Sequence, residues 1–144
     1  MHRFYKLIQN THIMNQKIKL LIIDDEPSTR KILEHFLNKE FEVTLKNDGM
    51  EGMRWLESGN DPDFIIVDLN MPNLNGKEFV KIIRASNLYC EVPIIILSGT
   101  DESKERIECL NSGADDFMLK PFNPMEVHAK IKAILRRVKP QEQL

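Results

Sequence analysis

The sequence has few cysteines, no long apolar run and no excess of basic charge. Cys90 and Cys109 are its two cysteines, and without a secretion signal we expect both thiols to be reduced and buried, not joined in a disulfide. No apolar stretch approaches the roughly 18 to 20 residues that a membrane-spanning helix needs, and the N-terminus lacks the pattern of a signal peptide. We therefore expect a cytoplasmic protein without a membrane span.

The formal net charge is −2 at pH 7, so the chain lacks the positive charge that steers a domain onto nucleic-acid phosphates. We expect no direct nucleic-acid contact by this domain. Hydrophobic residues make up 42% of the chain and charged residues 29%, a composition typical of folded rather than disordered proteins. A chain of 144 residues is the size of one domain with a single core.

Short apolar runs alternate with amphipathic segments from Lys19 onward. Strands are predicted at residues 20–23, 41–45, 64–67, 94–97 and 117–119, and helices at about 32–37, 50–56, 75–83, 101–110 and from Asn123 onward. Asn75 with Glu78, and Asn123 with Glu126, have the spacing of helix capping boxes. Residues 65–67 and 94–97 are apolar at consecutive positions, which is typical of strands covered on both faces. The pattern predicts an α/β fold, a doubly wound sheet of five parallel strands flanked by five helices.

The ends of the chain lack this regular alternation. We interpret residues 1–17 as an N-terminal extension, predicted to be mobile, and residues 18–138 as the folded domain. Met14 stands just before the first strand, so an appended arm and a misplaced start are alternatives for the extension. Residues 139–144 are interpreted as a tail or as the beginning of a linker.

Polar residues stand where four of the predicted strands end. Asp24 and Asp25 follow the first strand, Asp68 the third, Ser98 the fourth and Lys120 the fifth. Ligands of doubly wound sheets bind outside the carboxyl ends of the strands. If the strand order is 2-1-3-4-5, the first and third strands are neighbours and their carboxylates crowd into one crevice. Because Lys120 alone cannot neutralise three carboxylates, the cluster must shift its pKa values or bind a cation.

Magnesium is the cation that this crevice suits. Carboxylate oxygens in small number leave positions open for water and phosphate, as Mg²⁺ prefers, whereas the sequence has no cluster of His and Cys suited to zinc. A magnesium site beside a lysine fits phosphoryl transfer. Mg²⁺ and the lysine ammonium neutralise negative charge on the phosphoryl oxygens while an aspartate attacks the phosphorus in line.

Four segments, in order and at matching spacing, resemble the receiver domains of bacterial two-component response regulators. They are Asp24-Asp25, residues 68–76 (Asp-Leu-Asn-Met-Pro-Asn-Leu-Asn-Gly), Ser98-Gly99 and residues 113–122 (Gly-Ala-Asp-Asp-Phe-Met-Leu-Lys-Pro-Phe). The resemblance runs from Lys19 to Val138. It implies a flavodoxin-like sheet of order 2-1-3-4-5 and a signalling switch phosphorylated by a histidine kinase or phosphotransfer protein. Such a domain assists its own phosphoryl transfer and autodephosphorylation but turns over no external substrate.

The resemblance implies a role for each residue of the crevice. Asp68 would accept the phosphoryl group. Mg²⁺ would bind the carboxylates of Asp25 and Asp68 and the backbone carbonyl of Asn70, with Asp24 acting chiefly through a metal-bound water. Lys120 would pair first with Asp68 and then with the phosphoryl group.

The resemblance also implies the parts of the switch. The Ser98 hydroxyl would turn toward the phosphoryl group, and Phe117 would move inward once Ser98 has moved. A permanently buried core aromatic is the alternative for Phe117. The bond between Lys120 and Pro121 would be cis.

Charged residues near the fourth helix, fifth strand and fifth helix resemble those of receivers in winged-helix transcription factors, whose phosphorylated forms dimerise through this face. We predict a phosphorylation-dependent homodimer in which Arg106 pairs with Glu126, and Asp116 with Lys130, between subunits. A solvated surface without a partner is the alternative.

Other functions of the same architecture fit the residues less well. A flavin mononucleotide site needs a hydroxyl- and glycine-rich loop after the first strand, where this chain has Asp24, Asp25 and Glu26. A phosphatase of the haloacid dehalogenase type needs two aspartates separated by one residue. Within the receiver interpretation, a phosphorelay intermediate, a stand-alone protein-contact regulator and the regulatory half of a DNA-binding regulator remain open.

Overall fold

The computed structural model describes residues 17–143, with side chains described up to Val138. The predicted extension therefore lies outside the described residues except for Lys17, and so does Met14. The elements in chain order are β1 (Lys19–Ile23), α1 (Pro27–Leu37), β2 (Glu42–Lys46), α2 (Gly49–Glu57), β3 (Phe64–Asp68), α3 (Gly76–Ala85), β4 (Ile94–Ser98), α4 (Ser103–Asn111), β5 (Asp116–Leu119) and α5 (Pro124–Gln143).

The strands form one parallel sheet of order β2-β1-β3-β4-β5. This confirms the predicted doubly wound sheet with five strands and five flanking helices. In the register of the sheet, Ile23 lies beside Val67, and Val67 lies beside Ile96. The carboxyl ends of β1, β3 and β4 therefore meet at the same edge.

Alternate residues of the central strands pack into two cores, one on each face of the sheet. Leu21 and Ile23 of β1 belong to the core beneath α2, α3 and α4. Leu20 and Ile22 belong to the core beneath α1 and α5. Every residue of β3 and β4 is buried, which explains why their sequences are apolar at consecutive positions.

The two predicted capping boxes differ in outcome. At α3 both reciprocal bonds form, because Asn75 accepts from the amide of Glu78 and Glu78 accepts from the amide of Asn75, each at 2.9 Å. At α5 the Asn123 side chain instead accepts from the amide of Met125 at 2.9 Å, one residue before the position that a capping box requires. Asn123 therefore caps the helix, but in a different pattern.

The prediction of two buried thiols is right for Cys109 and wrong for Cys90. Both cysteines are free. Cys109 lies on the inner face of α4, where burial raises the pKa of its thiol to about 11. Cys90 is exposed because it lies in the loop between α3 and β4. None of the described helices is long and apolar enough to cross a membrane.

Candidate functional site

The carboxyl ends of β1 and β3 bring three carboxylates together. Asp24 and Asp25 follow β1, and Asp68 is the last residue of β3. Each offers a carboxylate oxygen, and these atoms lie within 4.8 Å of one another. Asp24 and Asp68 are buried, whereas Asp25 is exposed and forms the open side of the cluster. The structure thus places the acidic residues as the strand order predicts.

The ammonium group of Lys120, at the end of β5, lies against this cluster. Its Nζ is 2.9 Å from Oδ2 of Asp24 and 3.1 Å from Oδ1 of Asp68. A further carboxylate, that of Glu26, lies 2.9 Å from the same nitrogen. Burial by itself lowers the pKa of Lys120, but its pairing with Asp24, its hydrogen bond to Glu26 and the charge of Asp68 raise that pKa overall. The lysine is therefore a fixed cation of the site.

The two buried aspartates hold their protons more tightly than exposed carboxyl groups do. Burial, together with the charge of Asp24, raises the pKa of Asp68 to about 7, and the pairing with Lys120 opposes this shift. Burial likewise raises the pKa of Asp24, against the hydrogen bond that it accepts from the amide of Glu26 and its pairing with the Lys120 ammonium. One lysine thus compensates the carboxylates only in part, which leaves the crevice suited to a second cation.

The donor atoms fit such a cation. Oδ1 of Asp24 accepts a hydrogen bond from the amide of Glu26 at 2.9 Å. Oδ2 is buried, contacts the Lys120 ammonium and receives no well-formed hydrogen bond from any described group. A buried oxygen with spare lone pairs, beside two further carboxylates, is a hard donor set of the kind that Mg²⁺ binds. Asn70, two residues after Asp68, is exposed in the loop that follows β3.

Backbone contacts keep Asp24 and Asp68 in place. The guanidinium of Arg30, in the first turns of α1, donates to the backbone carbonyl of Asp24 at 2.6 Å. The start of α3 packs closely against Asp68. A Cβ atom added at Gly76 would lie 2.6 Å from the backbone oxygen of Asp68 and 2.9 Å from Cα of Leu69. Residue 76 must be glycine so that the start of α3 can approach the end of β3 this closely.

The predicted switch residues lie on the neighbouring strands. Ser98 is fully buried at the end of β4, where its hydroxyl accepts from the amide of Thr100 at 3.1 Å and lies 3.3 Å from the Thr100 carbonyl. Phe117 of β5 is partly buried against the core beneath α2, α3 and α4. The Arg106 guanidinium lies 5.8 Å from the centre of its ring. The Lys120–Pro121 peptide bond is cis, the conformation that the resemblance implies.

Three of the four residues of the predicted dimer face have ion-pair partners within the chain. Lys130 contacts Asp116 at 2.8 Å, and Arg106 forms an ion pair with Asp101. Glu126 is exposed in the first turn of α5. Intersubunit pairs would require these side chains to exchange partners, and they stay a prediction.

The sequence patterns do not by themselves place Glu26 or Arg30 in the site. Glu26 directly follows the acidic pair, and Arg30 lies one helical turn further on. Their nearness to Asp24 and Asp25 is the signal that marks them. Only the fold shows that Glu26 reaches Lys120, 94 positions away along the chain.

Comparison with known proteins gives consistent matches. The sequence model of the response regulator receiver domain matches residues 20–132. The alkaline phosphatase synthesis transcriptional regulatory protein PhoP of Bacillus subtilis is 41% identical over 125 residues, which are 86% of this chain and 50% of that protein. The response regulator MprA of Mycobacterium bovis is 34% identical over 126 residues, 87% of this chain and 54% of that protein.

Solved structures match over most of their length. The chemotaxis protein CheY4 of Vibrio cholerae aligns with a TM-score of 0.76 and 32% identity, covering 81% of this chain and 98% of that one. The receiver domain of the Francisella response regulator 1452 aligns with a TM-score of 0.77 and 33% identity, covering 85% and 100%. The chain spans about half the length of the curated relatives that it matches.

Proposed function

The chain belongs to the response regulator receiver domain family, and from this we propose that it is a phosphorylation switch with Asp68 as phosphoacceptor. Receiver domains of two-component systems interact with histidine kinases or phosphotransfer proteins and generally do not turn over a substrate. The observation that carries the proposal is the position of Asp68. It is buried at the end of β3, within 3.1 Å of the Lys120 ammonium and inside the acidic cluster.

In the proposed reaction a carboxylate oxygen of Asp68 attacks the phosphorus of a phosphohistidine. An oxygen–phosphorus bond forms, the phosphorus–nitrogen bond breaks, and its electron pair returns to the imidazole of the donor. Lys120 supplies positive charge beside the attacking carboxylate and then beside the transferred oxygens. Mg²⁺ held by Asp24, Asp25, Asp68 and the carbonyl of Asn70 would supply further positive charge to the phosphoryl oxygens.

Intact mass spectrometry tests the acceptor. With acetyl phosphate and Mg²⁺ we expect a single phosphoryl adduct on the wild type and none on Asp68→Asn. Asp61→Asn is the matched control, because Asp61 is exposed before β3, at the opposite edge of the sheet. It should form the adduct as the wild type does. An adduct on Asp68→Asn, or no adduct on the wild type with or without Mg²⁺, would contradict the proposal.

We further propose that the phosphoryl group shifts the packing of α4 and β5 through Ser98 and Phe117. Phosphorylation adds charge and hydrogen-bond acceptors at the end of β3, next to the strand that carries Ser98. The Ser98 hydroxyl would leave Thr100 for the phosphoryl oxygens. Phe117 is only partly buried, so an inward movement would remove more of its ring from water.

The output follows from the relatives. PhoP is named as a transcriptional regulatory protein, and we propose that residues 18–138 act as a receiver domain that controls such an output. Homodimerisation through the face formed by α4, β5 and α5 would couple the phosphorylation state of Asp68 to this output. A regulator that acts by contact with another protein uses the same chemistry at Asp68 and is the alternative.

A further inference from the structure

The choice of glutamate at residue 26 is not explained by the helix that it precedes. Glu26 is the N-cap of α1, with φ −92° and ψ 116°, yet its side chain makes no capping hydrogen bond. Ser, Thr, Asp and Asn cap helices much better than longer side chains do. Pro27 begins the helix. A residue that does not stabilise the local structure around it is expected mainly at positions where the side chain serves function.

The Glu26 side chain instead reaches across the crevice to Lys120. Its Oε1 lies 2.9 Å from the lysine nitrogen although the side chain is 57% exposed, so burial does not force the contact. Asp24 and Asp68 lie 2.9 and 3.1 Å from the same nitrogen. An ammonium group has three N–H donors. Lys120 gives one of them to Glu26 in a hydrogen bond, whereas Asp24 and Asp68 are paired with the same positive charge.

We propose that Glu26 is a positioning residue that restrains phosphorylation by competing with Asp68 for the Lys120 ammonium. The inference rests on the proposed function, because it concerns the rate at which Asp68 is phosphorylated. When the oxygen–phosphorus bond of Asp68 forms, the transferred oxygens need the N–H donors that Glu26 engages. Glu26 gains no bond and no proton in that step. Its negative charge also repels the phosphate of the incoming donor.

Replacing the side chain isolates this contact from the rest of the site. The hydrogen bond to Oδ1 of Asp24 comes from the backbone amide of Glu26, which every variant keeps. The Glu26 carboxylate also lies outside the group formed by Asp24, Asp25 and Asp68. A change at residue 26 therefore leaves the three carboxylates of the candidate metal site in place.

The first test compares initial rates of phosphorylation by acetyl phosphate with Mg²⁺, a donor that needs no docking surface. We expect Glu26→Gln to react about three- to tenfold faster than the wild type, because one nearby charge is removed. Glu26→Asp keeps the negative charge, but its shorter side chain does not reach Lys120, so its rate should lie between those of the wild type and Glu26→Gln. Glu34→Gln, the same change on an exposed residue of α1, should match the wild type. At about 1 M NaCl the differences should shrink.

The second test needs neither metal nor phosphate. In the metal-free protein, the ¹⁵N resonance of the Lys120 ammonium should move in Glu26→Gln and Glu26→Asp but not in Glu34→Gln. An unmoved resonance overturns the contact, and a rate for Glu26→Gln equal to or below that of the wild type overturns the restraint. If Glu26→Asp keeps the wild-type rate while Glu26→Gln is faster, charge alone acts and the competition is wrong. No adduct on the wild type would instead overturn the proposed function, and this inference with it.

Discussion

At the scale of single residues, the environment of Asp68 differs strongly from that of a solvated carboxylate. Its pKa lies near 7 because the folded chain buries it beside Asp24, whereas the unfolded chain exposes it with a pKa of about 3.9. Between these pH values the folded state keeps a proton that the unfolded state has released. Stability contributed by Asp68 is therefore lost as the pH rises from about 4 to 7.

The raised pKa of Asp68 is tested by comparing the free energies of unfolding of the wild type and Asp68→Asn in the absence of metal. With EDTA present, the free energy of unfolding of the wild type should fall, relative to the variant, by on the order of a few kcal/mol between about pH 4 and pH 8. Urea unfolding at a series of pH values measures this difference, in which the titrations of carboxylates far from the acidic cluster largely cancel. A difference that stays constant with pH would contradict the raised pKa of Asp68.

Gly76 makes a second prediction at this scale. An alanine there places a methyl group 2.6 Å from the backbone oxygen of Asp68, and a backbone atom cannot move aside as a flexible side chain can. We expect Gly76→Ala to lower the free energy of unfolding by about 1–3 kcal/mol. At Gly99, in contrast, an added Cβ meets nothing within 4 Å. Chemical denaturation should show Gly99→Ala unchanged to about 0.5 kcal/mol, and equal losses in the two variants would contradict the steric explanation.

At the scale of elements, α4 is the helix with the weakest apolar attachment. Its only buried residue among those described is Cys109, while Ile107 is 55% and Leu110 42% exposed. Charge supplements this attachment, because the ammonium of Lys77 in α3 lies 2.7 Å from both Glu105 and Glu108 of α4. A helix with one buried residue and partly exposed ion pairs can change its packing at small cost in free energy, as the proposed switch requires.

We expect Lys77→Met to loosen α4 with little effect on global stability. Partly exposed ion pairs contribute about 1 kcal/mol or less, so the melting temperature should change slightly. Amide hydrogen exchange of residues 103–111 should become faster, because local opening of this helix then breaks fewer contacts. Lys31→Met, at an exposed position of α1, is the control and should leave exchange in α4 unaltered. Unchanged exchange in Lys77→Met would show that the ion pairs do not hold the helix.

At the scale of the whole molecule, the α4–β5–α5 face combines exposed apolar side chains with charged ones. Ile107 and Leu119 are 55% and 40% exposed, and Asp116 of β5 contacts Lys130 of α5. A second copy would cover this apolar surface, and the charged residues would then fix the orientation of the two subunits. The ion pairs within one chain mean that dimerisation exchanges partners rather than creating new pairs from free charges. The ion pairs are therefore expected to add more specificity than affinity.

The dimer prediction is tested by sedimentation velocity with Mg²⁺ and beryllofluoride as a phosphoryl mimic. We expect the wild type to sediment as a dimer and Glu126→Arg as a monomer, because the reversed charge meets Arg106 of the other subunit. The double variant Arg106→Glu with Glu126→Arg should recover the dimer. Calorimetry must show that Glu126→Arg still binds beryllofluoride. A monomeric wild type under these conditions, or a double variant no better than the single one, would refute this interface.

The sequence by itself determined the elements of this protein and the residues that stand at their ends. Apolar runs such as 65–67 and 94–97 predict buried strands because consecutive side chains point to opposite faces of the sheet. The cap of α3 depends on Asn75 and Glu78, three positions apart, so near neighbours suffice to predict it. Asp24, Asp68 and Lys120 could be recognised as strand ends for the same reason.

The tertiary structure alone decided which side chains meet. Glu26 contacts Lys120 across 94 positions, and Asp116 contacts Lys130 of the same chain. The exposure of Cys90 likewise follows from where its loop lies. Local patterns cannot specify such contacts, because they depend on the order of the strands and on the reach of each side chain across the folded surface.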